Sequence, residues 1–324
     1  MSKIKIGLTG GPEGYAEYLE EKGFEVFVRP WLSQDEDDCI KRLKGMDAAL
    51  AGSDPFSARV LDALGDSLKL ISRLGVGVDA IDLKHAGELG IAVCNTPGML
   101  SVQVAEHTLA LIFSLYKKIP SYDKNVRSGN WEKLPAHSEI EGKVVGFVGF
   151  GGIARQTAKF LAGFDCTLIA YDPNFNSDAA KKLGVNEVSI DELFSKADIV
   201  SLHLPAAADT VGMVDKRLIS KMKKEAVIIN TSRGTIIKES DLIEALKNET
   251  IAGAALDVLE TEPPGKENPL FCLNNVVLTP HCAWNSKEGF WRVSKEAAER
   301  VCELRDGREI KNLANGNFLT GRKA

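Results

Sequence analysis

The segment VVGFVGFGGIARQTAKFLAGF, residues 144–164, leaves the chain few ways to fold. A buried apolar strand runs into the turn Gly149-Phe150-Gly151, and a helix opens at about Gly152. In this GxGxxA pattern Gly149 makes the tight turn, Gly151 lets a pyrophosphate reach the helix N-terminus, and Ala154 lets helix and strand pack closely. Asp172 ends the next strand, 21 residues beyond Gly151. A carboxylate there binds both ribose hydroxyls of NAD and repels the extra phosphate of NADP. Pro173 and Asn174 follow it, so no arginine stands ready for that phosphate. The expected cofactor is NAD, held by Gly149, Gly151, Gly152, Ile153 and Asp172. The competing reading is a glycine turn in a flavodoxin-like domain that binds no dinucleotide.

Short apolar strands alternate with helical patterns along the rest of the chain, the mark of α/β layers. Strands are expected at Lys3 to Leu8, Glu25 to Val28, Ala48 to Ala51, Leu68 to Arg73 and Ile91 to Asn95. Ser33 and Glu36 form a capping box for a helix with acidic residues in its first turn and lysines in its last. From Ser101 to about Lys117 runs a helix with few charges, which has to be buried on most sides. A loop with Pro120 leads to RSGNW, ending at Trp131. A second series opens with VVGFVG after Lys143. It continues through strands at Thr167 to Tyr171, Ile199 to Leu202, Ala226 to Asn230, Ile251 to Leu256 and Val276 to Leu278, and a last helix runs from about Lys287 to Leu304. The expected fold is two Rossmann-like or flavodoxin-like doubly wound parallel-sheet domains with a cofactor and substrate cleft between them. Residues 1–101 form the first part of a substrate-binding domain and 102–285 the NAD-binding domain, while 286–324 return to the first.

Composition narrows the function. With 45 acidic against 40 basic residues among 324 and a net charge of -5, there is no basic surplus or patch for a nucleic acid. No uncharged apolar run reaches the roughly 18 residues that span a bilayer. No apolar h-region follows Met1 to Gly7, so neither a secretory signal nor a membrane is expected. Six cysteines without a CxxC pair suit reduced thiols in the cytoplasm and offer no metal site.

In an open α/β sheet, ligands bind beyond the carboxyl ends of the strands. There the sequence places Thr231-Ser232-Arg233-Gly234, Asp257 and Thr279-Pro280-His281, with Glu262 in the loop between the last two strands. Hydride transfer to a carbonyl needs an acid for the developing alkoxide and a cation for a carboxylate. Histidine beside a carboxylate suits the first role, because the carboxylate raises its pKa and sets its tautomer. His281 and Glu262 supply that pair, Arg233 is the cation able to make two parallel hydrogen bonds, and Asp257 is placed to accept from the nicotinamide carboxamide. Thr231, His203 and Pro205 line the cofactor side. His107, inside the apolar helix, reads as a core or interface histidine, and Cys282 as packing beside the site.

These segments resemble the D-isomer-specific 2-hydroxyacid dehydrogenase family over nearly the whole chain. The motifs are RLGVGVDAIDL at 73–83, NTPG at 95–98, VAEHT at 104–108, RSGNW at 127–131, GFVGFGGIA at 146–154, YDP at 171–173, HLP at 203–205, INTSRG at 229–234, ALDVLETEPP at 255–264 and TPHCAW at 279–284. The resemblance implies that Arg233 binds the substrate carboxylate, that Glu262 supports His281 as acid/base, and that backbone N–H groups at Val76 and Gly77 bind the same carboxylate. It also implies a homodimer built through the cofactor domains. In two places the sequence departs from the family. Gly152 stands where the family commonly has arginine, with Ala154 for the last glycine, so a pyrophosphate contact is lost. Ala80 replaces a usual asparagine.

The expected reaction is reversible reduction of a 2-keto acid by NADH to an (R)-2-hydroxy acid. The loop Gly52 to Phe56 offers an aspartate rather than the arginines a phosphorylated substrate wants, and Arg59 falls in the next helix. Trp284, Trp131 and Met99 favour a more apolar pocket. The alternatives are phosphoglycerate dehydrogenase or glyoxylate/hydroxypyruvate reductase as the specific activity, phosphite dehydrogenase, and an NAD-sensing protein like the C-terminal-binding corepressors.

Overall fold

Strands buried on both faces carry near-continuous apolar runs, and parallel sheets need helices on each side to cover them. The computed structural model, which describes residues 3–30 and 35–319, follows that rule in two compact units. One comprises Met1–Leu100 with Asn285–Ala324, the other Ser101–Trp284.

In the first unit β1 (Lys5–Leu8), α1 (Tyr15–Glu21), β2 (Glu25–Val28), α2 (Glu36–Leu43), β3 (Ala48–Ala51), α3 (Ala58–Leu64), β4 (Leu70–Arg73), α4 (Leu83–Glu88) and β5 (Ala92–Cys94) alternate along the chain. The strands form a parallel sheet in the order β2-β1-β3-β4-β5. One face packs Ile6, Leu50 and Leu70 against Val293, Ala297 and Val301 of the returning helix Lys287–Asp306. The other packs Ala49 and Ile71 against Leu43 and Leu61.

Two expectations for this unit change. Ser33 lies outside the described residues, and the N-cap of α2 is Asp35, whose carboxylate accepts from the Asp37 N–H at 2.8 Å. Aspartate caps as well as serine, so the helix starts without the capping box. Asp54 does not offer its charge to a ligand. It is 1% exposed and accepts from Thr9 Oγ1 (2.5 Å), the Gly52 N–H (3.0 Å) and the Arg42 guanidinium (3.1 Å). Arg59 does lie in α3, where it pairs with Glu36 and Asp37.

The second unit begins with α5 (Ser101–Tyr116) and α6 (Ile119–Arg127). There follow β6 (Val144–Val148), α7 (Gly152–Leu161), β7 (Thr167–Tyr171), α8 (Ser177–Leu183), β8 (Val185–Glu187), α9 (Ile190–Lys196), β9 (Ile199–Leu202), α10 (Lys216–Ile219), β10 (Val227–Asn230), α11 (Glu239–Lys247), β11 (Gly253–Leu256) and β12 (Val276–Leu278). Its parallel sheet runs β12-β11-β10-β9-β6-β7-β8, so the strand order reverses between β6 and β9. Leu111, Ile112 and Tyr116 of α5 pack with Val145, Phe147 and Ile229 on one face. Leu193, Leu218 and Leu242 cover the other. α5 buries seven of its sixteen residues and leaves Val102, Glu106 and Ala110 exposed along one stripe, so it is less enclosed than its low charge suggests. Pro120, expected in a loop, instead sits in the first turn of α6, where its missing N–H costs no hydrogen bond. The short edge strand β8, which the sequence reading passes over, buries only Val185.

Among the described residues no helix is long and apolar enough to cross a membrane, and the six cysteines are free thiols. Removing one partner of a buried ion pair leaves the other charge uncompensated. Asp54→Ala is therefore expected to lower the unfolding free energy by about 3 kcal/mol, measured by urea denaturation.

Candidate active site

The carboxyl ends of β6, β7, β9, β10, β11 and β12 lie on one side of the second unit's sheet, since all its strands are parallel. At β6, Gly149 has φ +91°, and a Cβ there would lie 2.8 Å from the His203 carbonyl oxygen. At Gly151, the N-cap of α7, a Cβ would meet nothing within 4 Å. Open space thus lies beside Gly151 at the start of α7, where Gly152 and Ile153 present backbone N–H groups that no helical carbonyl can reach, and Ser101 Oγ lies 3.0 Å from where a Cβ at Gly152 would stand. Asp172 is held at the end of β7 by the N–H groups of Phe150 and Asn174, both at 2.7 Å. An open helix N-terminus beside an anchored carboxylate fits a dinucleotide. Arg155, one turn into α7, donates from Nε to the Phe150 carbonyl at 2.9 Å and stacks over the Phe150 ring. A cation thus stands on the same helix face as Gly152.

His203 turns inward. Its Nε2 meets Ser201 Oγ at 2.8 Å, its ring lies against Phe147, and burial pushes its pKa down to about 3. It is neutral at physiological pH and unsuited to donate a proton there. Thr231 Oγ1 meets Thr108 Oγ1 at 3.0 Å. Since Thr108 donates to the Val104 carbonyl, Thr231 donates to Thr108, which ties the turn after β10 to α5. The Pro205 carbonyl accepts from Thr210 Oγ1 at 2.7 Å.

Arg233 follows a turn built on Asn230, whose Oδ1 accepts from the Ser232 N–H and hydroxyl and whose Nδ2 donates to the Arg233 carbonyl. The next residue, Gly234, presses on the chain after β11: a Cβ there would lie 1.9 Å from the Leu259 carbonyl carbon. Beyond that contact lies Glu262, which accepts from the Leu259 N–H at 3.0 Å and from His281 Nδ1 at 2.6 Å. Burial raises the Glu262 carboxyl, but the hydrogen bonds from His281 and Leu259 outweigh it and hold it below its ordinary range. With Nδ1 engaged, Nε2 is the nitrogen left to exchange a proton. Trp284 Nε1 donates to the His281 carbonyl at 2.9 Å, leaving the indole 37% exposed beside the pair.

Asp257, 2% exposed, takes part in this geometry from below. It accepts from Thr279 Oγ1 (2.6 Å) and from the N–H groups of Cys282 and Ala283 (2.9 Å each), and its carbonyl accepts from the His281 N–H at 2.7 Å. Burial raises its carboxyl, yet hydrogen bonds from His107, Thr279, Ala283 and Cys282 bring it down to about 2. His107, expected as a core or interface histidine, has its Nε2 3.1 Å from Thr279 Oγ1 and 3.5 Å from Asp257. No local signal marks a contact across 172 residues. His107, Asp257 and Cys282 also bring metal-ligand types together, but the carboxylate is already met by O–H and N–H donors and the group closes on itself. Val76 and Gly77 belong to the first unit, in the loop after β4. Val76 is exposed there, and its carbonyl accepts from Asn95 Nδ2 at 2.8 Å.

Residues 109–283 match the NAD binding domain of the D-isomer specific 2-hydroxyacid dehydrogenases. The chain belongs to the D-isomer specific 2-hydroxyacid dehydrogenase family. It is 36% identical over 301 residues to a D-3-phosphoglycerate dehydrogenase of Archaeoglobus fulgidus, covering 92% of this chain but 56% of that protein. It therefore spans little more than half the length of that relative. A glyoxylate reductase of Korarchaeum cryptofilum is 36% identical over 283 residues, 85% of each chain. The apo structure of D-lactate dehydrogenase from Escherichia coli superposes with a TM-score of 0.85 at 29% identity, covering 97% of this chain and 100% of that one. NAD is thus the cofactor of this family member's second unit.

A carboxyl whose pKa is lower folded than unfolded adds stability above its unfolded value, and that stability is lost as pH falls through the folded one. For Asp257 the window runs from about pH 4 down to about pH 2. Resistance to urea is expected to fall across it, about 2 kcal/mol of the loss coming from this group. Asp257→Asn is expected to be less stable at neutral pH and flatter over the same window, which urea midpoints at a series of pH values check.

Proposed function

We propose that this dehydrogenase reduces short, unphosphorylated 2-keto acids to (R)-2-hydroxy acids and catalyses the reverse oxidation. The observation that carries the reading is the 2.6 Å hydrogen bond between His281 Nδ1 and Glu262, on the sheet edge that bears the dinucleotide turn. NAD, when bound, supplies or accepts the hydride at C2 of the substrate. His281 donates its Nε2 proton to the developing alkoxide during reduction and recovers it during oxidation, while Glu262 holds the Nδ1 proton throughout. Arg233 grips the substrate carboxylate, and the indole of Trp284 gives the pocket an apolar wall. Reduction consumes a proton, so it is favoured on the acid side and oxidation on the alkaline side.

Two contacts argue against a phosphorylated substrate. Arg59 is committed to Glu36 and Asp37, and Arg42 is buried against Asp54, so neither of these two is disposed to receive a phosphate, which leaves Arg73, paired with Ala51 at the end of β3, as the cation on that edge. The free thiols support a reducing, cytoplasmic setting.

The partner is a second copy. Helix α6 buries none of its residues, and Ile119 (55%), Val126 (47%) and the neighbouring Trp131 (86%) are exposed. Apolar side chains gathered along one arm suit a self-complementary interface through the NAD-binding unit.

Initial rates of NADH oxidation against glyoxylate, pyruvate, hydroxypyruvate and 3-phosphohydroxypyruvate test the reading. An unphosphorylated acid is expected to give the highest kcat/KM. H281A should lower it by about a thousandfold and E262Q by about tenfold; full activity in H281A would overturn the assignment. Sedimentation is expected to find a dimer that Val126→Lys with Trp131→Glu converts to monomer.

A further inference from the structure

His281 does not stand in a relaxed backbone. Its φ is +50°, in the left-handed region where a residue with a Cβ stays only if its surroundings hold it. Those surroundings are Asp257: the His281 N–H reaches the Asp257 carbonyl, and the next two N–H groups, of Cys282 and Ala283, reach its carboxylate. The segment from Thr279 to Ala283 is wrapped around one acidic residue. The direction in which the imidazole leaves the chain therefore depends on how that carboxylate is turned.

Proton counting shows what turns it. The Asp257 carboxylate has no proton to give, so across the 2.6 Å contact Thr279 Oγ1 is the donor. A hydroxyl has one proton, so toward His107 the same oxygen accepts, and His107 Nε2 carries the hydrogen at 3.1 Å. The chain has one sense, from His107 Nε2–H to Thr279 Oγ1–H to Asp257 Oδ1. It enters from α5, the helix that also meets the turn after β10 through Thr108 and Thr231.

We propose that His107 is a positioning residue for His281, acting through Thr279 and Asp257. This rests on His281 being the acid/base proposed above. Without the His107 donor, Thr279 keeps only its bond to Asp257, the carboxylate loses its lateral hold, and the strained residue that follows loses its fixed direction. NAD binding at the α7 turn does not pass through this chain.

The test uses the full-length enzyme and four variants: H107L, which removes the donor; H107Q, which returns an N–H near the Nε2 position; T279V; and the H107L/T279V double variant. H107L is expected to lower kcat for keto-acid reduction about tenfold while the NADH Kd, read by fluorescence, changes less than about twofold. H107Q is expected to recover kcat to within about threefold of wild type, and the double variant to be no slower than T279V. Unchanged kcat in H107L, no recovery in H107Q, or multiplicative losses in the double variant would overturn the proposal. Imidazole nitrogen resonances of 15N-histidine-labelled protein give a readout that needs no turnover. The His281 signals are expected to move in H107L, and unmoved signals also refute the proposal. If wild type turns over no keto acid while those signals move, the positioning role stands and the assigned reaction falls.

Discussion

An ionised carboxylate taken out of water has to be met by donors, and the way Asp257 collects them organises the candidate site. A side-chain hydroxyl reaches it from Thr279 and backbone N–H groups from Cys282 and Ala283, while its own carbonyl takes the N–H of His281. Removing the carboxylate would leave several buried donors without partners and a left-handed histidine without its restraint. The sequence reading gave Asp257 a contact with the nicotinamide carboxamide. The structure gives its carboxylate a scaffolding duty, with 1% of the side chain exposed and both oxygens met by donors of the protein.

The parallel sheet explains how residues scattered from 149 to 281 come to one edge. Each strand that returns in the same direction must be preceded by a crossover, so every loop at the carboxyl end projects to the same side. Strand order reverses between β6 and β9, the place where ligands bind in such sheets, beside the N-terminus of α7. The fold thus needs only short loops to gather a glycine turn, an arginine and a histidine, and the apolar clusters on both sheet faces keep the strands under them in register.

What the sequence made legible was local. The glycine turn, Asp172 and the His281–Glu262 pair each stand at a strand end and carry their chemistry in residue type and spacing. Asp54 was misjudged because burial is decided by Arg42 and Thr9, from separate elements. His107, read as a core or interface histidine, is half-buried and hydrogen-bonded, but an apolar helix hides that its partner is Thr279. Pro120 signals a break but equally suits a first helical turn, and only the chain's course after α5 decides between them. β8 escaped because a short edge strand with one buried residue carries no alternation to detect.

The absent side chain at Gly234 has a consequence for anyone altering this enzyme. The Leu259–Glu260 backbone occupies the volume a Cβ would need, so the turn bearing Arg233 and the stretch leading to Glu262 are wedged together as one block. Even alanine at 234 would force the two apart and displace Arg233 and Glu262 in a single move. Substitution at Arg233 is therefore confined to changes that leave its neighbour bare. The arginine can be exchanged in place, but it cannot be relocated without unsettling the glutamate.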